Sequence, residues 1–550
     1  MTKNVSSIKQ EIYDFAKNYD IYKNNTFLEA CFKLTCAVEE SFLNLLSQGI
    51  LSLQFDYISV LQDKLRGAYR EALKNAYRFC NNTETNAEPQ IEREELKKIC
   101  DNLVEYFNFN EVRNLFEQTQ IGRYTVEINS DKEITFIRNK AKRSSNSELY
   151  ARWVNNQKPE NEKKKISNDE EKKLYQFMAD PQLCRFWDIN EPTLARFSHF
   201  KQVYKFALAK VQSDSEEHVN YDLGGFNTEE FQKVYAVLVA MSVTITNYHF
   251  VSRVLNKLEI NYSKPIAIVK HDKLIELIQR CTGLSCEKIG TIIKSVIYDP
   301  QIHSDKITIY QPLFLFGDTV FFSPSIIFYS MAYDKILYLA KRSPAFQPVI
   351  SKLAKEREEI MIDDLCEFLE ANSQLLYVAN YIVKEKNKPI AEFDLIIYDE
   401  ANKKMLLTEL KWYFKGDGEF DYAKIDKKLQ GTVSDRIEKE KIAKKHLREI
   451  KEELDIQEDT DIEIKSCVVS KNFSGSDFVD DDLAIFDEFL FKLLLEKEEF
   501  DLSKLFAKLK DKSYIPEMDS VGYCYIPRTV ELSGYKINFE GIAQKNNLEE

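Results

Sequence analysis

The stretch Glu392–Trp412, EFDLIIYDEANKKMLLTELKW, constrains the fold more than any other part of the chain. Two apolar runs, Leu395-Ile396-Ile397-Tyr398 and Met405-Leu406-Leu407, flank a polar turn from Asp399 to Lys404, which is the pattern of a β-hairpin. The second run ends in Thr408-Glu409-Leu410-Lys411. Because it is continuously apolar up to its charged end, it reads as a central strand, whereas a surface hairpin would alternate more cleanly. Strand side chains alternate faces, so Glu409 and Lys411 share one face and Leu410 takes the other, with Trp412 under the hairpin. Asp394 lies where the first strand meets the open end of the second. Two carboxylates and an amine therefore converge.

That convergence suits phosphodiester hydrolysis. Hard carboxylate oxygens bind Mg²⁺, which can stabilise charge on a phosphoryl group and acidify a water. An ammonium beside them can orient the nucleophile and offset developing charge. The set Asp394, Glu409 and Lys411 resembles the PD-(D/E)xK nuclease superfamily, whose motif is an acid, a short hairpin and Glu-x-Lys; here Phe393 precedes the acid in place of proline. The resemblance covers residues 350–500 and implies a restriction-endonuclease-like α/β core, a central mixed sheet flanked by helices. It implies a metal-dependent endonuclease using Mg²⁺, with Mn²⁺ able to substitute. Asp394 and Glu409 would bind the metal and Lys411 would orient water. The expected substrate is nucleic acid, double-stranded DNA in the first place, in a setting of prokaryotic defence or restriction. The competing class is a nuclease-fold module that binds or assembles without catalysis. A surface hairpin with fortuitous charges is the bland reading of the same residues.

The flanking segments extend the pattern. Ile350–Ala371 is a helix with Ala354, Met361, Leu365 and Phe368 on one stripe, and Glu358 falls on that stripe. An acid there is unusual unless something pairs with it. The resemblance implies that a helix ahead of the hairpin adds a carboxylate to the metal site, which makes Glu358 the third metal ligand. Glu359 or Asp363 would serve if the helix phase shifts, and Glu392 is a further candidate on the face of Asp394. Downstream, Gly416–Gly418 leads to a basic helix from Tyr422 to Leu454 that includes Arg436, Lys439 and Lys441. The resemblance implies that this helix borders the substrate, with Gln430 near its start in the site; a solvated face has the same composition. A strand at Ile462–Ser470 and a helix at Asp482–Glu496 complete the expected core.

A chain of 550 residues exceeds such a core, so the expected architecture is α+β and multidomain with a mostly helical N-terminal part. Residues 1–140 read as helices ending in a hairpin, Arg123–Arg138, about Asn129-Ser130-Asp131. Residues 141–173 read as a polar linker, 174–345 as a second helical domain with a hairpin turning at Gly317-Asp318, and 346–550 as the nuclease-like domain. The helical part is expected to contact a partner protein, a trigger or a second copy of the chain.

Net charge of −13 argues against coating nucleic acid indiscriminately, so any binding surface must be local. The ten cysteines form no CxxC pair, and no secretory segment opens the chain, so reduced thiols in a cytoplasm are expected. Val234–Ser252 lacks charged residues but holds Ser242, Thr244, Thr246, Asn247 and His249, which favours a buried helix over a membrane span. There is no P-loop, GxGxxG or HExxH, and the six histidines are widely spaced. The chain thus has no motif of a nucleotide-driven motor.

Overall fold

The computed structural model describes residues 4–52, 55–80, 90–130, 132–140, 194–213, 222–254, 265–298, 311–330, 332, 335–336, 347–372, 374–413, 419–457, 460–471, 483–511 and 523–544. The N-terminal region is helical, with α1 (Val5–Tyr13), α2 (Asp20–Lys23), α3 (Phe27–Ser52), α4 (Phe55–Phe79) and α5 (Arg93–Gln120). The hairpin β1 (Tyr124–Ser130) and β2 (Glu133–Arg138) follows, as its alternating pattern predicts. Next come α6 (Leu194–Ser213), α7 (Thr228–Val254), β3 (Ala267–Lys270), α8 (His271–Thr282), α9 (Cys286–Val296), β4 (Phe314–Phe316), β5 (Thr319–Phe322) and α10 (Pro324–Tyr329). The last part holds α11 (Gln347–Asn372), β6 (Leu376–Glu385), β7 (Lys388–Asp399), β8 (Lys404–Trp412), α12 (Glu419–Lys445) and α13 (Leu447–Glu453). It ends with β9 (Glu463–Lys471), β10 (Leu483–Asp487), α14 (Glu488–Lys497), α15 (Leu502–Asp511), β11 (Tyr523–Leu532) and β12 (Tyr535–Gln544). The chain is therefore an α+β protein, helical at first and with mixed sheets later.

Contacts divide it into two compact units. One is drawn from within 1–113, 164–350 and 531–535, the other from within 114–163, 351–530 and 536–550. In the first, α7 is buried around its whole circumference from Val234 to Ile245. Its hydroxyls bond inside the helix, Ser242 Oγ to Leu238 O and Thr244 Oγ1 to Ala240 O, each at 2.8 Å, so no polar group on them is stranded. The charge-free run is a core helix, and among the described residues no helix is long and apolar enough to cross a membrane. Beside it lies a three-stranded antiparallel sheet, β3-β5-β4, whose β4–β5 turn passes through Gly317 at φ +60°, a left-handed conformation that favours glycine.

The second unit contains a mixed five-stranded sheet in the order β10-β9-β8-β7-β6. β6, β7 and β8 are antiparallel neighbours, while β9 runs parallel to β8 and β10 parallel to β9. On one face Leu395, Ile397, Leu406, Leu410 and Trp412 pack with Met361 and Leu365 of α11 and Phe491 of α14. On the other, Ile396, Met405 and Leu407 pack with Ala443 of α12 and Ile450 of α13. β8 is thus covered on both faces, which is why its sequence is a continuous apolar run.

Several expectations change. The stretch expected as one helix, Asp482–Glu496, begins with β10; Asp487 ends that strand and caps α14 by accepting from Phe489 N at 3.0 Å. The long helix from Tyr422 to Leu454 is two, separated at His446, whose φ −108° and ψ 25° leave the helical range. The β1–β2 hairpin takes its partner from the far end of the chain: β12 pairs with β2 in parallel, Ile537 opposite Ile134, giving a sheet ordered β1-β2-β12-β11. The polar stretch 141–173 and the Gly416–Gly418 loop lie outside the described residues.

The β7–β8 turn is fixed by one buried acid. Asp399 Oδ1 accepts from Asn402 N at 3.1 Å, and Oδ2 accepts from Asn402 Nδ2 at 2.9 Å and from Leu502 N, in the first turn of α15, at 3.0 Å. Asp399→Ala leaves a buried N–H unsatisfied and should lower unfolding stability by about 2 kcal/mol. Denaturant titration measures this; an unmoved midpoint would show that the turn does not depend on the carboxylate.

Candidate active site

The β7–β8 ladder ends at the pair Leu395 and Thr408. One residue further the strands are joined by a side chain: Asp394 Oδ2 accepts from Leu410 N at 2.7 Å. This places Asp394 beside the charged end of β8, on the side the alternation predicts. Lys411 Nζ lies 3.0 Å from Glu409 Oε1, 3.7 Å from Glu358 Oε2 and 3.9 Å from Asp394 Oδ2, and donates to Leu410 O at 3.0 Å. Glu358 arrives from α11, and its Oε1 accepts from Trp412 N at 3.4 Å. Carboxylates from three elements thus surround one ammonium.

The other sequence candidates stand apart. Glu359 is exposed and 4.0 Å from Lys355 on its own helix. Glu392 and Asp363 are also exposed, and no ion pair among the described residues ties either to the cluster. Gln430 lies in α12, with its side chain outside the described residues.

Two members of the cluster were hidden within a basic helix. Arg436 Nη1 lies 3.1 Å and Lys439 Nζ 2.7 Å from the same atom, Glu409 Oε2. Arg436 is 0% exposed and its guanidinium sits 5.1 Å from the centre of the Phe393 ring. The signal for it is spacing. Leu429, Arg436 and Ala443 are seven apart and all fully buried, so Arg436 occupies the core stripe of α12. A cation there needs a buried acid, and Glu409 at the end of β8 is the acid within reach.

The acids differ in electrostatic state. Burial raises the Asp394 carboxyl, the neighbouring Glu409 carboxylate adds to this, and Lys411 and the Leu410 N–H only partly offset it. Glu358 is likewise raised, by burial first, against the pull of Lys411 and the Trp412 N–H. Glu409 is also penalised by burial, but Lys411 and Lys439 overcome that and hold it below the usual carboxylate range. Burial disfavours the Lys411 ammonium, yet the three carboxylates together raise its pKa. It therefore stays charged at neutral pH.

Among the described residues, no three His, Cys, Asp or Glu side chains are grouped closely enough to hold a metal ion as they stand. The ammonium of Lys411 is the cation the acids share. The donor chemistry nevertheless fits a hard divalent ion: three carboxylates and the Leu410 carbonyl converge, and two of the carboxyls are raised by burial and crowding that an added cation would relieve. No protein-family model, curated protein or solved structure matches this chain.

Opposite responses to neutralisation follow. Between its ordinary and raised values, folded Asp394 binds more protons than the unfolded chain, so stability falls as pH rises through that window and the ionised carboxylate is a cost at neutral pH. Glu409 is depressed, so its contribution is present above the ordinary carboxylate value and is lost as pH falls through the depressed one. In chelator at neutral pH, Asp394→Asn should raise the melting temperature. Glu409→Gln should lower it, because removing one partner of a buried pair costs about 3–5 kcal/mol. Melting curves read both, and shifts of the same sign would refute the assignment.

Proposed function

We propose that the second unit is a metal-dependent nuclease of the PD-(D/E)xK type, with a restriction-endonuclease-like core, hydrolysing phosphodiester bonds in nucleic acid, DNA first. The observation that carries the reading is the convergence of Asp394, Glu409 and Glu358 on Lys411 at the end of a central strand. The mixed five-stranded sheet with helices packed on both faces supports it. Asp394, Glu409 and Glu358 would hold Mg²⁺ or Mn²⁺. When bound, the ion would supply charge stabilisation at the phosphoryl group and acidify the attacking water.

The chain's own groups divide the remaining work. Lys411, kept as an ammonium, has three donors and no acceptor, so it orients water and offsets developing charge and is not the general base. Arg436 and Lys439 fix the Glu409 carboxylate, and Asp394 is fixed through Leu410 N. The helical N-terminal region would engage a partner or trigger, and a role in prokaryotic defence or restriction rests on fold analogy.

A second reading is favoured by one observation: Glu409 is already paired with three cations, as a purely structural ion cluster would be. The module would then bind or assemble without cutting. Plasmid nicking with Mg²⁺, with Mn²⁺ and with chelator separates the two readings, and the nuclease should cut only with metal. Lys411→Ala should lose about 10²- to 10³-fold in single-turnover rate while keeping DNA affinity. Divalent ions should raise the melting temperature of wild type and of Lys411→Ala but not of Asp394→Asn. No metal-dependent cutting and no metal-dependent melting shift would establish the assembly reading instead.

A further inference from the structure

Away from the acidic cluster, but within the same compact unit, the sheet β1-β2-β12-β11 carries a cavity of about 400 Å³, within the size range of ligand sites. Its lining includes Arg138, Lys140 and Arg528 against a single acid, Glu540. In a chain of net charge −13, three cations to one acid is a local reversal of sign.

The two guanidiniums are held in place. Arg138 lies 3.7 Å from the centre of the Tyr525 ring, with its Nε 3.0 Å from Glu540 Oε2. Arg528 lies over Phe539, 5.6 Å from its centre. Gly541 permits this: a Cβ there would stand 2.2 Å from Arg528 Cδ. Lys140 is 75% exposed and 4.0 Å from Glu540. Thr529 and Asn538, bonded to each other at 2.8 Å, add hydroxyl and amide groups to the wall. Ring-held guanidiniums lose less freedom on binding, and their planar donor forks match phosphate oxygens.

We propose that this cavity binds a phosphodiester unit of a nucleic-acid strand, as an anchoring site apart from the acidic cluster. The choice of a strand among phosphate esters rests on the nuclease reading. The test is anisotropy of a labelled single-stranded oligonucleotide in chelator at two salt concentrations, with full-length Lys140→Glu and Arg528→Gln. Each should weaken binding about tenfold, and the log–log salt slope should fall by about 0.7 per lost contact. Lys140→Glu changes an exposed residue, so its result does not depend on Arg528→Gln folding. Unchanged affinity and slope in Lys140→Glu would overturn the proposal. So would a mononucleotide that stabilises wild type but not Lys140→Glu while oligonucleotide affinity is the same in both, which would make the ligand a free nucleotide. Because binding is read without metal, loss of affinity in the variants of a protein that cuts nothing would uphold the cavity and overturn the nuclease reading alone.

Discussion

The carboxylate of Glu409 is removed from water at the end of a strand that is covered on both faces, and much of the second unit's charged architecture answers that fact. A buried carboxylate costs several kcal/mol in lost hydration. Each cation at contact distance returns on the order of 4 kcal/mol when the surroundings screen as they do near a protein surface. Lys411 comes from the same strand, but Arg436 and Lys439 come from α12, so the helix must dock in one rotational setting to deliver them. Burial of the Arg436 guanidinium outweighs the pull of Glu409 on its charged form. Its effect therefore falls more on which face of α12 meets the sheet than on net stability.

The same pairing leaves the other two acids short of countercharge. Glu409 has three cations within 3.1 Å, while among the described residues Asp394 and Glu358 have Lys411 as the one ion-pair partner within 4 Å, at 3.9 and 3.7 Å, and accept one backbone N–H each. Burial raises both carboxyls and Lys411 offsets it only in part, whereas at Glu409 the closer cations overcome the same penalty. The cluster is thus asymmetric: one acid is compensated by the fold, and two are placed where another positive group would be favourable. On the nuclease reading, that asymmetry separates the anchoring of the site from its loading.

Much of this was legible because it depends on short periods. The alternation at the end of β8 puts Glu409 and Lys411 on one face, and the helical stripe through Met361 and Leu365 puts Glu358 on the packed face of the preceding helix, while its place beside Lys411 is implied by the resemblance and not by the period. Arg436 reads as solvated because it stands in a run of Lys and Arg; its seven-residue spacing from both Leu429 and Ala443 is what distinguishes it. Leu483-Ala484-Ile485-Phe486 is too short and apolar for periodicity to separate strand from helix, so β10 reads as the start of the following helix, and Asp487 is the boundary between them. The pairing of β2 with β12 was beyond reach, since Arg138 and Glu540 are 402 residues apart and local pattern says nothing about such partners.

Net charge distinguishes the acidic cluster from the Arg138–Arg528 cavity. The three acids Glu358, Asp394 and Glu409 are matched by Lys411, Arg436 and Lys439, so the cluster without a metal is neutral and offers a phosphodiester little attraction. On the nuclease reading, a divalent ion makes it positive and couples metal affinity to strand affinity, since each favours the site the other needs. The Arg138–Arg528 cavity has no such dependence, because its excess of positive charge is built into the chain. A protein of net charge −13 would then hold a strand at one place without metal and engage the second only when loaded, so that binding and cutting are controlled separately.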